Sequence, residues 1–267
     1  MRRGITIGLI SALVLGCTPV PRSPSEEMVF IPAGTFLMGS EEGREDERPV
    51  REVYLAGFYI DRYEVTNAEY AEFLNALGGH VGRCDGHDCA DTKDEDPDSH
   101  ILYDYKAGRY VVEKGYEDHP VVKVSWYGAK AYCEHYGKRL PTEEEWEKAA
   151  RGTDGRRYPW GEEFDAQRLN SDYRIGDTTP VGSFPQGVSP YGVYDMAGNV
   201  WEWVADWYHP YPSSEFQCPF FGRKYKVVRG GSWNHPGYDA RCASRDIAHP
   251  DRRLLVVGFR CAASLLP

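Results

Sequence analysis

Beyond its first fifteen residues the chain lacks any long apolar run: no internal stretch approaches the roughly 18–20 residues that a membrane span requires. Positive charge is also scarce. With 31 Lys and Arg against 41 Asp and Glu, the formal charge is −10, and no basic stripe offsets it. Such a surface repels phosphate backbones, which excludes nucleic acid as a partner. Long uninterrupted helical stretches are missing too, because 28 Gly and 18 Pro punctuate the 267 residues too often for a helical bundle. What is present is material for an aromatic-rich core. Hydrophobic residues make up 41 % and aromatics 13 %, which excludes intrinsic disorder and low complexity, and the length suits one large domain or two small ones.

The opening MRRGITIGLISALVLGC places basic Arg2 and Arg3 before an apolar run from Ile5 to Leu15 and a small Gly16, the layout of an export signal. Val14-Leu15-Gly16-Cys17 resembles a bacterial lipobox. That reading makes residues 1–16 a lipoprotein signal peptide and Cys17 the lipidated first residue, with residues 17–27 as lipidated Cys and flexible Pro- and Ser-rich tether. Thr18 after the Cys resembles outer-membrane-sorted lipoproteins. The expected location is therefore the bacterial cell envelope, lipid-anchored at the outer membrane and facing the periplasm or the cell surface, with the membrane as a partner through Cys17. Six further cysteines, at 84, 89, 133, 218, 242 and 261, then lie where disulfides persist. Six cysteines permit fifteen pairings, and spacing alone suggests only an easily closed Cys84–Cys89 bridge.

Alternation in MVFIPAGTFLMGS (28–40) predicts an opening β-hairpin around Pro-Ala-Gly-Thr, and VYLAGFYIDRYEV (53–65) predicts a second strand pair. Three helix starts stand out. Thr66 and Glu69 form a capping box ahead of Tyr70, Phe73, Leu74 and Leu77 on one face. Ser125 caps a helix bearing Ala129, Tyr132, Cys133 and Tyr136 and ending on Gly137, and Thr142 with Glu145 repeats the first device. Between the first two helices an acidic, Cys-containing insertion at about 78–118 reads as a solvated loop stapled by Cys84 and Cys89, although Cys84, His87 and Cys89 together also have metal-binding chemistry. Asp94, Asp96 and Asp98 have EF-hand spacing, but Pro97, Ser99 and Tyr105 occupy positions where that loop cannot tolerate them.

The blocks MVFIPAGTFLMGS, YEVTNAEYAEFL, HPVVKVSWYGAKAYCEHYGKRLPTEEEWEKAARG, YPWG, TTPVGSFP, YGVYDMAGNVWEWVADWY, VVRGGSW and GFRCAA together resemble the formylglycine-generating enzyme family, or sulfatase-modifying factors, over roughly residues 28–263. The resemblance implies one compact α+β domain over 28–267, of the type related to C-type lectin folds, with little regular secondary structure. In DMAGNVWEW, carboxylates at Asp195 and Glu202 bracket the carbonyls of Gly198 and Val200, a run of hard oxygen donors suited to Ca²⁺. The family binds calcium at the matching positions; the alternative is a satisfied turn with Glu202 paired to an Arg. A second family calcium site maps to Asn170 and Ser171, where the loop through Asp172 to Ile175 is shortened. The resemblance also implies a Cys133–Cys261 disulfide and leaves Cys242 either paired with Cys218 or free.

Formylglycine-generating enzymes hold copper on two thiolates in the stretch after GGS, because soft sulfur retains Cu(I) where carboxylates and amides do not. Here that stretch, GGSWNHPGYDARC, has no cysteine between Ser232 and Cys242. His235 falls near the first missing thiolate and the second has no counterpart. A Ser232–His235–Asp239 triad is set aside because the three lie too close along one loop for the usual geometry. Two readings follow. The favoured one is an anchored lipoprotein that binds or scaffolds an envelope protein or peptide in a groove near Trp201 and Ser232, with calcium and without copper. The other is an oxidoreductase of the formylglycine-generating type that converts a sulfatase Cys to formylglycine through Trp201, Ser232 and His235.

Overall fold

A computed structural model describes residues 28–78 and 82–265; the segment expected to hold the signal peptide, Cys17 and the tether lies outside the described residues. Four strands come first, β1 (Met28–Ile31), β2 (Gly34–Met38), β3 (Arg51–Leu55) and β4 (Phe58–Asp61). They do not form the two local hairpins predicted above. Instead β1 pairs with β4 and β2 with β3, both antiparallel. Alternation assigns the two faces of a strand but not its partner, and here the partner is set by burial of Val29, Ile31, Phe58 and Ile60 together.

Helix α1 (Asn67–Leu77) starts at the Thr66–Glu69 capping box and buries Tyr70, Phe73 and Leu74, whereas Leu77 is left exposed at its frayed end. The acidic insertion is more ordered than a solvated loop. It contains two hairpins, β5 (Arg83–Cys84) with β6 (His87–Asp88) and β7 (Ile101–Asp104) with β8 (Arg109–Val112). Cys84, Cys89, Ile101 and Tyr110 pack with α1 in the first of two main core clusters, so apolar residues scattered among the acids anchor the segment. The acids are occupied locally: Asp96 accepts from Lys123 Nζ at 2.7 Å and Asp94 from the Tyr105 hydroxyl at 3.0 Å.

Helices α2 (Trp126–His135) and α3 (Glu143–Arg151) begin at the predicted caps, Ser125 and Thr142. α3 buries charge rather than hydrocarbon alone. Glu143 accepts from Arg245 Nε at 2.6 Å, while Glu147 accepts from Arg151 at 2.7 Å and also meets Arg229, all of them essentially sealed from solvent. Such groups are tolerated inside only because each is paired and hydrogen-bonded.

After α3 the chain is mostly loop until β9 (Trp201–Trp207), β10 (Lys226–Arg229), β11 (Arg245–Ala248), β12 (Val257–Gly258) and β13 (Ala262–Ser264). A four-stranded sheet runs β11-β10-β9-β12, and a three-stranded sheet runs β1-β4-β13. Disulfides join Cys84 to Cys89 and Cys133 to Cys261, while Cys218 and Cys242 are free thiols. No helix among the described residues is long and apolar enough to cross a membrane.

Candidate functional site

Three loops converge at one end of β9 and β10. Asn199 N–H donates to the Asn170 carbonyl at 2.9 Å, Trp233 N–H to Asn199 at 2.8 Å, and Tyr173 N–H to Trp233 at 2.8 Å. The turn out of β10 depends on glycine. Gly231 has φ +77°, and a Cβ there would lie 3.1 Å from the Ala240 backbone, so Ser232 is set down by a position that tolerates no side chain.

On this scaffold Trp201, Ser232 and His235 do come together. Ser232 Oγ lies 2.6 Å from His235 Nδ1 and 2.9 Å from Asn234 Oδ1, and its single proton serves only one of them at a time. Trp201 Nε1–H donates to the same Nδ1 at 3.3 Å, and the indole meets the imidazole edge to face at 5.6 Å. Because an indole N–H only donates, Nδ1 is the acceptor in this arrangement and the neutral ring carries its proton on Nε2. The sequence reading set aside the complete Ser232–His235–Asp239 triad; within it, a tight turn at Trp233-Asn234 folds residue 235 back onto 232. Asp239, however, is turned away and forms an ion pair with Arg44. The triad is incomplete.

Neither free thiol fits copper at this point. Cys242 belongs to the second core cluster, with Val29, Ile60 and Trp146, whereas Trp201 belongs to the first. Burial pushes the Cys242 thiol up to about 12, so it is not a thiolate at neutral pH. Cys218 packs against the second cluster as well, and the other four cysteines among the described residues are oxidised. One imidazole that is already bonded to a serine is a poor donor set for Cu(I).

The proposed calcium loop is bent as required, with Asp195, Gly198 and Asn199 all left-handed at φ 56°, 80° and 62°. Its carboxylates are only partly placed as the spacing suggests. Glu202 takes the alternative weighed above: Oε2 accepts from Arg260 Nε at 2.7 Å and Trp146 Nε1 at 3.0 Å, and Oε1 accepts from Arg260 Nη2 at 2.7 Å. Asp195 accepts from Gly182 N–H at 2.6 Å. Sequence reasoning missed Glu64, a fully buried carboxyl beside Asp195 that accepts from Asn199 Nδ2 at 3.2 Å. The sequence held no clear signal for it, because Glu64 follows Asp61 and Arg62 in Asp61-Arg62-Tyr63-Glu64-Val65 and reads as one of several surface charges. Burial first, then repulsion from Asp195, holds Glu64 well above the usual carboxylate range; burial pushes Asp195 up to about 6. Three carboxyls thus share one guanidinium. Oxygen donors are gathered here, but both oxygens of Glu202 are engaged by Arg260 and Trp146, and among the described residues no three His, Cys, Asp or Glu side chains are grouped so as to hold a metal ion. At the second position, Asn170 Oδ1 is buried without a hydrogen-bond partner, while Nδ2 donates to the Asp177 carbonyl at 2.8 Å. Ser171 beside it spends its hydroxyl on Asp172 at 2.6 Å.

Exposed aromatics edge the site. Tyr173 packs edge to face on Trp233, Phe164 lies over Gly237, and Tyr238 stands beside them. Two cavities, of about 340 and 590 Å³, lie apart; the first is lined by residues such as Leu37, Glu42, Arg157 and Arg241, the second by Arg48, Pro49 and residues 213–217. Neither is lined by Trp201, Ser232 or His235.

Residues 16–265 match the sulfatase-modifying factor enzyme 1-like domain. The chain is 43 % identical over 249 residues to "Serine/threonine-protein kinase pkn1" of Chlamydia caviae, covering 91 % of this chain and 38 % of that one. It spans about two fifths of the length of such chlamydial relatives. Identity is 35 % over 301 residues to "Formylglycine-generating enzyme" of Bos taurus, covering 92 % of this chain and 76 % of that one. To "Inactive C-alpha-formylglycine-generating enzyme 2" of Mus musculus it is 36 % over 274 residues, covering 89 % and 85 %. The solved structure of PvdO from Pseudomonas aeruginosa superposes with a TM-score of 0.67 at 30 % identity, covering 89 % of this chain and 94 % of that one. With matching blocks, fold and disulfide on the page, the chain belongs to the sulfatase-modifying factor, or formylglycine-generating enzyme, family.

Proposed function

We propose that this is an exported lipoprotein, anchored in the envelope through Cys17, whose family domain binds a peptide segment of an envelope protein at the aromatic-edged surface around Trp201, Ser232 and His235. Calcium at Asp195, Gly198, Val200 and Glu202, and at Asn170 and Ser171, would brace the loops beneath that surface, and copper plays no part. One observation carries the reading: where soft-metal chemistry needs two thiolates, this chain has an imidazole bonded to a serine, with its free thiols packed elsewhere. That a relative carries the name of an inactive formylglycine-generating enzyme accords with it. At the first calcium site Asp195 would supply charge and the carbonyls of Gly198 and Val200 further oxygens, while Glu202 would have to share its oxygens with Arg260.

The test is elemental analysis of protein purified from its native envelope, joined to Cu(I) titration. Calcium without copper and no tight stoichiometric Cu(I) uptake are expected; a tight copper equivalent would overturn the reading. The mutual contact of Trp201, Ser232 and His235 favours a second reading, the oxidoreductase. It requires O₂ consumption with a Cys-containing sulfatase peptide, and a flat oxygen trace from folded protein disposes of it.

A further inference from the structure

The β1-β4-β13 sheet turns one face inward, where Val29, Ile31, Phe58, Ile60 and Ala262 are buried, and the other face outward. On the outward face the register places Phe30 opposite Tyr59, and Tyr59 opposite Ala263. The two rings touch at 5.3 Å between centroids. Leu265 joins them. Phe30 and Leu265 close together over Gly57, where a Cβ would lie 3.1–3.2 Å from both. Phe30, Tyr59 and Leu265 are 46 %, 38 % and 47 % exposed, so this cluster is built yet uncovered.

Charge is nearly absent from it. In a chain that is 27 % charged, the three strands carry a single ionisable acid or base, Asp61, and that carboxylate is paired with Lys138 Nζ at 2.6 Å. Arg139 sits at the edge beyond β13, its Nε donating to Ser264 Oγ at 3.2 Å. Arg139 is in turn held by Glu145 at 2.6 and 2.7 Å, so the apolar centre with its Tyr and Phe has a rim of neutralised ion pairs, a composition compatible with the boundary between lipid headgroups and acyl chains.

We propose that this face rests on the membrane surface. The inference depends on the anchored reading above, and the position of the anchor selects lipid over other occupants. Only residues 18–27 separate Cys17 from Met28, the first residue of β1, so the tether reaches about 35 Å when fully extended. The sheet in which the tether ends is thus the part of the domain that is always near the bilayer. Shallow insertion of Phe30, Tyr59 and Leu265 converts a loose tether into a fixed orientation and leaves the surface around His235 free for its ligand.

The test uses the full, acylated chain in phosphatidylcholine vesicles containing brominated acyl chains, with tryptophan reporters Phe30→Trp, Tyr59→Trp and, as a reference on the candidate site, Tyr173→Trp. Relative to the parent chain, the emission added at 30 or 59 should fall roughly two-fold or more with brominated lipid, while that added at 173 stays unchanged. Equal quenching at all three positions, or at none, in protein that floats with the vesicles overturns the proposal. Shielding at 30 and 59 that needs no lipid, together with a doubled mass by light scattering, overturns it in favour of a second copy of the chain. Absence of acyl mass on Cys17 and failure to float would identify a failure of the anchored reading itself.

Discussion

Arg260 grips Glu202 fork to fork, Nε to Oε2 and Nη2 to Oε1 both at 2.7 Å, with neither side chain exposed to solvent. The same guanidinium supports the Tyr194 carbonyl at 2.9 Å and lies near Glu64 and Asp195, so it is the one strong counter-charge inside an acidic cluster.

Arg260→Met should therefore destabilise the fold by about 3–5 kcal/mol, the cost of leaving a buried ion pair half made. Arg260→Lys should recover only part of that, since an ammonium cannot make the two-pronged contact. Denaturant unfolding in the presence of a chelator reads both values. A loss under about 1 kcal/mol would mean that another cationic group neutralises Glu202.

The two disulfides should differ in what they contribute. Cys133–Cys261 spans 128 residues and Cys84–Cys89 only 5, so in the chain-entropy model removing the first costs about 5 kcal/mol and the second about 2. Paired Cys→Ala variants compared by chemical denaturation would give the order, and equal losses would contradict it.

Thiol labelling separates the two free cysteines among the described residues. With Cys242 fully buried and its thiol pushed up to about 12, a thiol-selective reagent at pH 8 should modify at most Cys218 in the native protein, and both after denaturation. Rapid native modification of Cys242 by mass mapping would refute its placement in the core.

Asp206 offers a pH test away from the candidate site. Burial, helped by repulsion from Glu143, pushes its carboxyl up to about 6, whereas the unfolded chain titrates near 4. A folded-state pKa above the unfolded one favours the native state in acid, and that stabilisation is lost as pH rises from about 4 to 6. Asp206→Asn should hence match the parent near pH 4 and exceed it by up to about 3 kcal/mol at pH 7, measured by urea melts at the two pH values. A difference that does not change with pH would show that Asp206 ionises normally.

How much of this was legible depends on whether the signal was local. The caps at Thr66, Ser125 and Thr142 could be read because a cap and its helix lie within four residues. Strand positions in 28–65 were equally visible, but their partners were not, since β4 is completed by residues 262–264 from the far end of the chain. At the site, the absence of cysteine between Ser232 and Cys242 could be read directly, and the family resemblance gave it its meaning. The Ser232–His235 contact could not, because it depends on a turn that spacing alone does not reveal. Glu64 escaped notice for a similar reason: a buried carboxyl announces its role only through neighbours 130 or more residues away, such as Asn199 at a separation of 135.

The closing of β4 by β13, and of Cys133 by Cys261 next to it, sets an order of events for biogenesis. Whatever is synthesised earlier has an open sheet edge at β4 and an unpaired Cys133 until residues 261–264 arrive. Closure of that edge and of the disulfide is consequently a late step, which cannot precede the last few residues of the described chain and which needs an oxidant.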